Sequence, residues 1–127
     1  MEIPVGLKNQ KKIIVENKDS AKSLGSGGLD VFGTPAMIAL MENTALHMIR
    51  PYLPEGSDSV GIMINTKHLK ASPIGAEITC EATVTAVDGK KVSYTITCHD
   101  ETGEKIGESE HDRFIVDIER FISKLNR

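Results

Sequence analysis

Only two cysteines, Cys80 and Cys98, occur in the 127-residue sequence, and tryptophan is missing altogether. Two thiols cannot build a disulfide framework, and no Cys or His spacing resembles a metal motif. No apolar run exceeds the six residues Ala36 to Met41, far short of the ~20 that a helix needs to cross a bilayer. The opening "MEIPVGLKNQKK" has no apolar h-region, so no signal peptide is expected. Basic surplus is lacking too. The net charge is −3, and the short basic runs "KNQKK" and "KLNR" near the ends read as solvated. Phosphate recognition needs clustered Lys and Arg, so the charge argues against a nucleic-acid partner, and none is expected. There are no repeats and no low-complexity tract. The expectation is one cytoplasmic domain over residues 1–127, with no membrane segment and thiols packed as small hydrophobes.

What is present is one helical pattern followed by a period of two. "NQKKIIVEN" is a short strand. "AKSLGSGGLDVFG" is a Gly/Ser-rich loop. The helix runs from Phe32 to Pro51 in "FGTPAMIALMENTALHMIRP", with Thr34 as the expected N-cap and Pro35 at the first helical position. Pro51 stops it. "SVGIMINTKHLKAS" is a strand. "EITCEATVTAVDGKKVSYTITCHD" is a hairpin with its turn near Asp88-Gly89. One strand offers Ile78, Cys80, Ala82, Val84 and Ala86 to the core; the other offers Val92, Tyr94, Ile96 and Cys98. A two-residue loop at Asp88-Gly89 would set Val84 against Ser93. Register follows the buried face, so a three-residue loop or a bulge is predicted, with Val84 against Tyr94 and Cys80 against Cys98. "EKIGESEHDRFIVDI" is the last strand, and "DIERFISKLNR" closes the chain as a short helix or frayed tail. The order gives α+β, an antiparallel sheet wrapped around one apolar helix.

One residue breaks the helix pattern. At about 100° per residue, Met37, Ile38, Met41, Ala45, Met48 and Ile49 form a broad apolar stripe, and Asn43, His47 and Arg50 face solvent. Glu42 lies on the shoulder of that stripe, one turn from Ile38 and Leu46. Two readings stay open. Its carboxylate reaches water, or it is held in a partly apolar cleft where burial tunes it for acid, base or nucleophile work.

"FGTPAMIALMENTA", "SVGIMINTKHLKASPIGAEITCEATV" and "GESEHDRFIV" resemble the hotdog-fold thioesterases of the fluoroacetyl-CoA thioesterase-like family, over nearly the whole chain. That family has a helix Thr, a Glu eight residues on and a His twenty-six further, and Thr34, Glu42 and His68 stand at those spacings. Gly61 matches a glycine seven residues before the histidine, and His111-Asp112-Arg113 matches a late HxR. The resemblance implies a long central helix wrapped by a five-stranded antiparallel sheet. It implies a homodimer joined edge to edge, with higher assembly open, and acyl-CoA hydrolysis at the subunit interface. It implies no metal and no cofactor, coenzyme A being part of the substrate.

Thioester hydrolysis needs an activated attacker, a stabilised oxyanion and a protonated leaving thiolate. Glu42 suits nucleophile or general base. Thr34 suits a hydrogen bond to that carboxylate or to the thioester, or else spends its hydroxyl on a cap. His68 suits orientation or protonation of the leaving sulfur. Backbone N–H groups are the expected oxyanion donors. Gly61 is read as a point of close backbone approach or a bulge. Arg113 is a contact to substrate or CoA phosphates, or a surface ion pair. Phe32 is a cover for the acyl pocket. The fluoroacetyl-specific member of the family has an aromatic-rich gate, and the loop here has a single Phe, so a small or medium acyl-CoA is expected. Two other functions compete: a non-catalytic acyl-CoA-binding module, and an acyl-CoA hydratase or dehydratase.

Overall fold

Alternating apolar and polar residues in the second half of the chain, and a helical period in the first, resolve into five strands and one long helix. The protein is described by a computed structural model covering residues 2–126. The order is β1 (Lys8–Ile14), α1 (Ala21–Leu24), α2 (Thr34–Ile49), β2 (Ser57–His68), β3 (Glu77–Asp88), β4 (Lys91–His99), β5 (Lys105–Asp117) and α3 (Ile118–Ser123). The sheet order is β1-β3-β4-β5-β2, with every pairing antiparallel. Helix α2 packs on one face, against β1, β2, β3 and β4, as the sequence pattern requires. No helix among the described residues is long and apolar enough to cross a membrane.

The hairpin register follows the buried face. Val84 opposes Tyr94, Ala82 opposes Ile96, and the free thiols of Cys80 and Cys98 oppose each other in the core. The bulge alternative is the one realised, with Thr85 as the extra residue. Two sequence expectations shift with it. Asp88 now pairs with Lys91, so the turn is Gly89-Lys90, and Gly89 takes the left-handed conformation (φ +59°) that favours glycine. Beyond the bulge Ala86 turns outward and is exposed.

The helix also departs in detail. Its buried face is Met37, Leu40, Met41, Thr44, Ala45, Met48 and Ile49. Leu40 and Thr44 join the core because the sheet wraps more of the helix than the apolar stripe alone marks. Thr44 is tolerated there because its hydroxyl donates to the Leu40 carbonyl at 2.8 Å. Ile38, Glu42 and Leu46 are half-buried, a line one turn apart along the flank.

Close approach of α2 to the sheet depends on Gly107, which pairs with His68. A Cβ there would lie 2.5 Å from Met37 Sδ and 2.8 Å from its Cε, and Met37 is fully buried. Overpacking a core by one methyl costs about 1–3 kcal/mol. Gly107→Ala is therefore expected to lower stability by about that amount, measured by urea unfolding. An unchanged midpoint would show that Met37 can move aside freely.

The two sheet edges differ. β1 carries exposed Lys8, Lys11 and Lys12, a common block to edge pairing. β2 instead presents Gly61, Ile62 and Met63, with Ile62 52% and Met63 39% exposed.

Candidate active site

Thr34 is the first residue of α2, and Gly33 before it is the N-cap. The expected capping role for Thr34 is thus corrected: its side chain is left over for other partners. Thr34 Oγ1 lies 2.8 Å from Nδ1 of His68, the last residue of β2. The distance is that of a nucleophile and its base. His68 is half-buried, and burial pushes its pKa below the ordinary 6.5, with the Lys70 carbonyl working weakly the other way. A depressed pKa keeps the ring neutral and able to accept a proton near neutral pH. For Nδ1 to accept from the hydroxyl, Nε2 must carry the ring hydrogen.

Thr34 and His68 stand at the mouth of a cleft of about 320 Å³ lined also by Val31, Phe32, Leu69 and Lys70. Phe32 is 1% exposed. It meets the His68 ring edge-on at 6.2 Å, so in this structure it is packed against the histidine inside the protein and does not cover the opening. The Gly/Ser-rich loop is pinned by backbone bonds, Phe32 N–H to the Ser72 carbonyl and Gly33 N–H to the Asp19 carbonyl, both 2.8 Å. Leu24, the last residue of α1, and Leu29 in the loop are exposed. A hollow of similar size on the outer face of the sheet is lined by Asn65, Lys67, Thr95 and Glu110 among others. Among the described residues no hydroxyl of its lining is hydrogen-bonded to a carboxylate or an imidazole.

Within one chain Glu42 is not brought to that pair. It lies eight residues beyond Thr34, about 12 Å along the helix axis at 1.5 Å per residue. It faces a second cluster. A Cβ placed on Gly61 would be 3.0 Å from Glu42 Oε2, 3.3 Å from His111 Cε1 and 3.5 Å from Arg113 Nη1. Gly61 thus permits the close approach expected of it, and the bulge as well, since the β2–β5 register shifts between Gly61 and Met63.

Arg113 is 6% exposed. Among the described residues neither Arg113 nor Glu42 takes part in an ion pair, so the surface-pair reading of Arg113 is overturned. Its guanidinium donates to Ser59 Oγ, the Ser59 carbonyl and His111 Nε2. Burial lowers its pKa, while the carboxylates of Glu42 and Asp58 oppose the shift. Sequence reasoning gave His111 no role and missed Ser59. The signal was the alternation of β5: Ser109, His111, Arg113 and Ile115 share the inward face, which places a cation and an imidazole where apolar residues belong. His47 is exposed and bonded to the Asn43 carbonyl, and His99 ends β4. Among the described residues no group of three or more His, Cys, Asp or Glu is arranged to hold a metal.

Comparison with known proteins adds relatives to this geometry. A model of the fluoroacetyl-CoA-specific thioesterase family matches residues 15–119. The fluoroacetyl-CoA thioesterase of Streptantibioticus cattleyicolor is 34% identical over 98 residues, 77% of this chain and 70% of that protein. A crystal structure of a variant of the thioesterase FlK with fluoroacetate and CoA superposes with a TM-score of 0.88 at 28% identity, over 94% of this chain and 99% of that one. A hot-dog-like protein from Thermanaerovibrio acidaminovorans gives 0.88 at 23% identity, over 96% and 90%. The last likeness speaks for the hotdog fold alone.

Proposed function

The chain belongs to the fluoroacetyl-CoA-specific thioesterase family and is an acyl-CoA thioesterase, and from that premise we propose that one hotdog domain hydrolyses a small or medium acyl-CoA with Thr34, His68 and Glu42. The observation that carries the reading is the 2.8 Å contact between Thr34 Oγ1 and His68 Nδ1. His68 takes the hydroxyl proton as Thr34 Oγ attacks the thioester carbonyl. The N-terminus of α2, whose first-turn N–H groups have no partner within the helix, places partial positive charge beside the developing oxyanion. The C–S bond breaks, and His68 returns its proton to the CoA thiolate. Water then hydrolyses the Thr34 ester, giving the free acid and restoring the hydroxyl. The reaction uses no bound cofactor, CoA entering and leaving as part of the substrate.

Glu42 supplies the carboxylate from a second copy. The β2 edge exposes Ile62 and Met63 and carries a single lysine, Lys67, where β1 carries three, and this favours antiparallel pairing with its own copy about a two-fold axis. A register setting Gly61 of one copy opposite His68 of the other turns Glu42 and Arg113 toward the Thr34–His68 pair of that other copy. There Glu42 orients the water that cleaves the acyl ester, and Arg113 contacts the acyl-CoA. A homodimer is then the working unit. The free thiols of Cys80 and Cys98 suit a reducing cytoplasm.

The pH dependence of thiol release tests the role of His68. A base works only when unprotonated, so kcat/KM is full above the depressed His68 pKa and falls below it. The acid limb for acetyl- or butyryl-CoA hydrolysis is expected at an apparent pKa below 6.5, the ordinary histidine value. An acid limb above 6.5, or its persistence in His68→Ala, would remove His68 as the base. Stability has the same sign: the depressed pKa contributes above 6.5 and is lost as pH falls through the folded value.

A further inference from the structure

Arg113 holds a buried positive charge that takes part in no ion pair among the described residues, and such a charge costs free energy unless it is hydrogen-bonded. Nε donates to Ser59 Oγ at 2.8 Å, Nη2 to the Ser59 carbonyl at 3.0 Å, and Nη1 to His111 Nε2 at 3.2 Å. The state of the His111 ring follows from these neighbours. A guanidinium can only donate, so Nε2 is the bare nitrogen. The Met63 carbonyl, 2.8 Å from Nδ1, can only accept, so Nδ1 carries the hydrogen. The ring is thus neutral and in one tautomer, in keeping with a pKa that burial holds below the ordinary value. Tyr94 stacks on it at 5.6 Å with planes 23° apart, and the tyrosine hydroxyl is tied to the Ala45 carbonyl. Turning the imidazole over would exchange carbon and nitrogen at both contacts.

We propose that His111 is a positioning residue of the thioesterase site: by accepting one Nη1 hydrogen of Arg113, it leaves the other free for the substrate and holds the guanidinium off Glu42. The two side chains crowd the bare backbone of Gly61, where a Cβ would lie 3.0 Å from Glu42 Oε2 and 3.5 Å from Arg113 Nη1. A substrate group reaching them meets a donor and an acceptor close together. Without the imidazole acceptor, Nη1 is drawn to the Glu42 carboxylate, and an ion pair takes up the donor. The inference rests on the reading above that Arg113 contacts the acyl-CoA.

The test is a double-mutant cycle on kcat/KM in the full-length protein, with thiol release from acetyl-CoA as the readout. His111→Phe keeps the stack on Tyr94 and removes the acceptor. It is expected to lower kcat/KM about tenfold or more, mainly through KM, and to add nothing in the Arg113→Met background. His111→Gln, whose amide offers both an acceptor and a donor, is expected to recover most of the loss. A purely structural role would lower Tm without this coupling. Loss in Arg113→Met with none in His111→Phe, or additive losses, overturns the proposal alone. Wild-type kcat/KM in Arg113→Met overturns the Arg113 assignment, and the proposal with it. Should His111→Phe fail to fold, nitrogen-15 NMR of the native protein decides. The neutral Nδ1–H tautomer is expected at pH 7, and an Nε2–H ring or an imidazolium contradicts it.

Discussion

His68→Ala is expected to cut kcat/KM for acyl-CoA hydrolysis by about 10³-fold, about 4 kcal/mol of transition-state stabilisation. The estimate rests on one residue doing two jobs, taking the Thr34 proton and returning it to the leaving sulfur. Thr34→Ala should lose as much, because the hydroxyl is the atom attacked through. The double variant should lose no more than either single one, since a nucleophile and its base act as a unit. Thr34→Ser keeps a hydroxyl and should retain a substantial part of the activity. The folded state should hardly notice Thr34→Ala. Thr34 is exposed, Gly33 rather than Thr34 is the cap, and the side chain's bond is to His68 alone. A Tm within a few degrees of wild type, with thiol release near background, is the expected pair of results. Near-normal turnover in either variant would remove the pair from the mechanism.

Much of this was legible in the sequence because the relevant signals are periodic. The apolar face of Ile78 to Val84 opposing Val92 to Cys98 left one register consistent with a buried side, and the structure adopts it. The place where that register breaks was not legible. Burial fixes which face is inward, but a bulge at Thr85 or a longer turn satisfies it equally, and only the turn geometry at Gly89 decides. Thr34 shows a similar limit. A threonine before a proline at a helix start reads as a cap on local grounds, yet one residue of offset moves its hydroxyl from the backbone to a histidine thirty-four positions away. Arg113 and His111 were visible as an HxR motif but not as a buried pair, because charge suggests a surface until the inward face of β5 is followed residue by residue. Glu42 is the reverse case. Its half-buried shoulder position was readable from helical angles alone, whereas its neighbours, Gly61 and Arg113, come from strands more than fifteen residues away.

Glu42→Gln is the second large effect. The amide keeps size and hydrogen-bonding capacity but loses charge and basicity, so kcat is expected to fall about 10²-fold with the fold intact. Where that carboxylate acts is the central claim. One chain separates it from Thr34 by about two turns of helix, and the proposed dimer through β2 would unite them. The most direct measurement mixes two inactive proteins, Thr34→Ala and Glu42→Gln, under conditions that let subunits exchange, with differently tagged copies to count mixed dimers. In a mixed dimer one site receives both defects and the other receives neither. Random exchange is therefore expected to restore about a quarter of wild-type activity, because half of the dimers are mixed and each has one intact site of two. Mixed dimers that form and stay as inactive as their parents would contradict a site shared between copies.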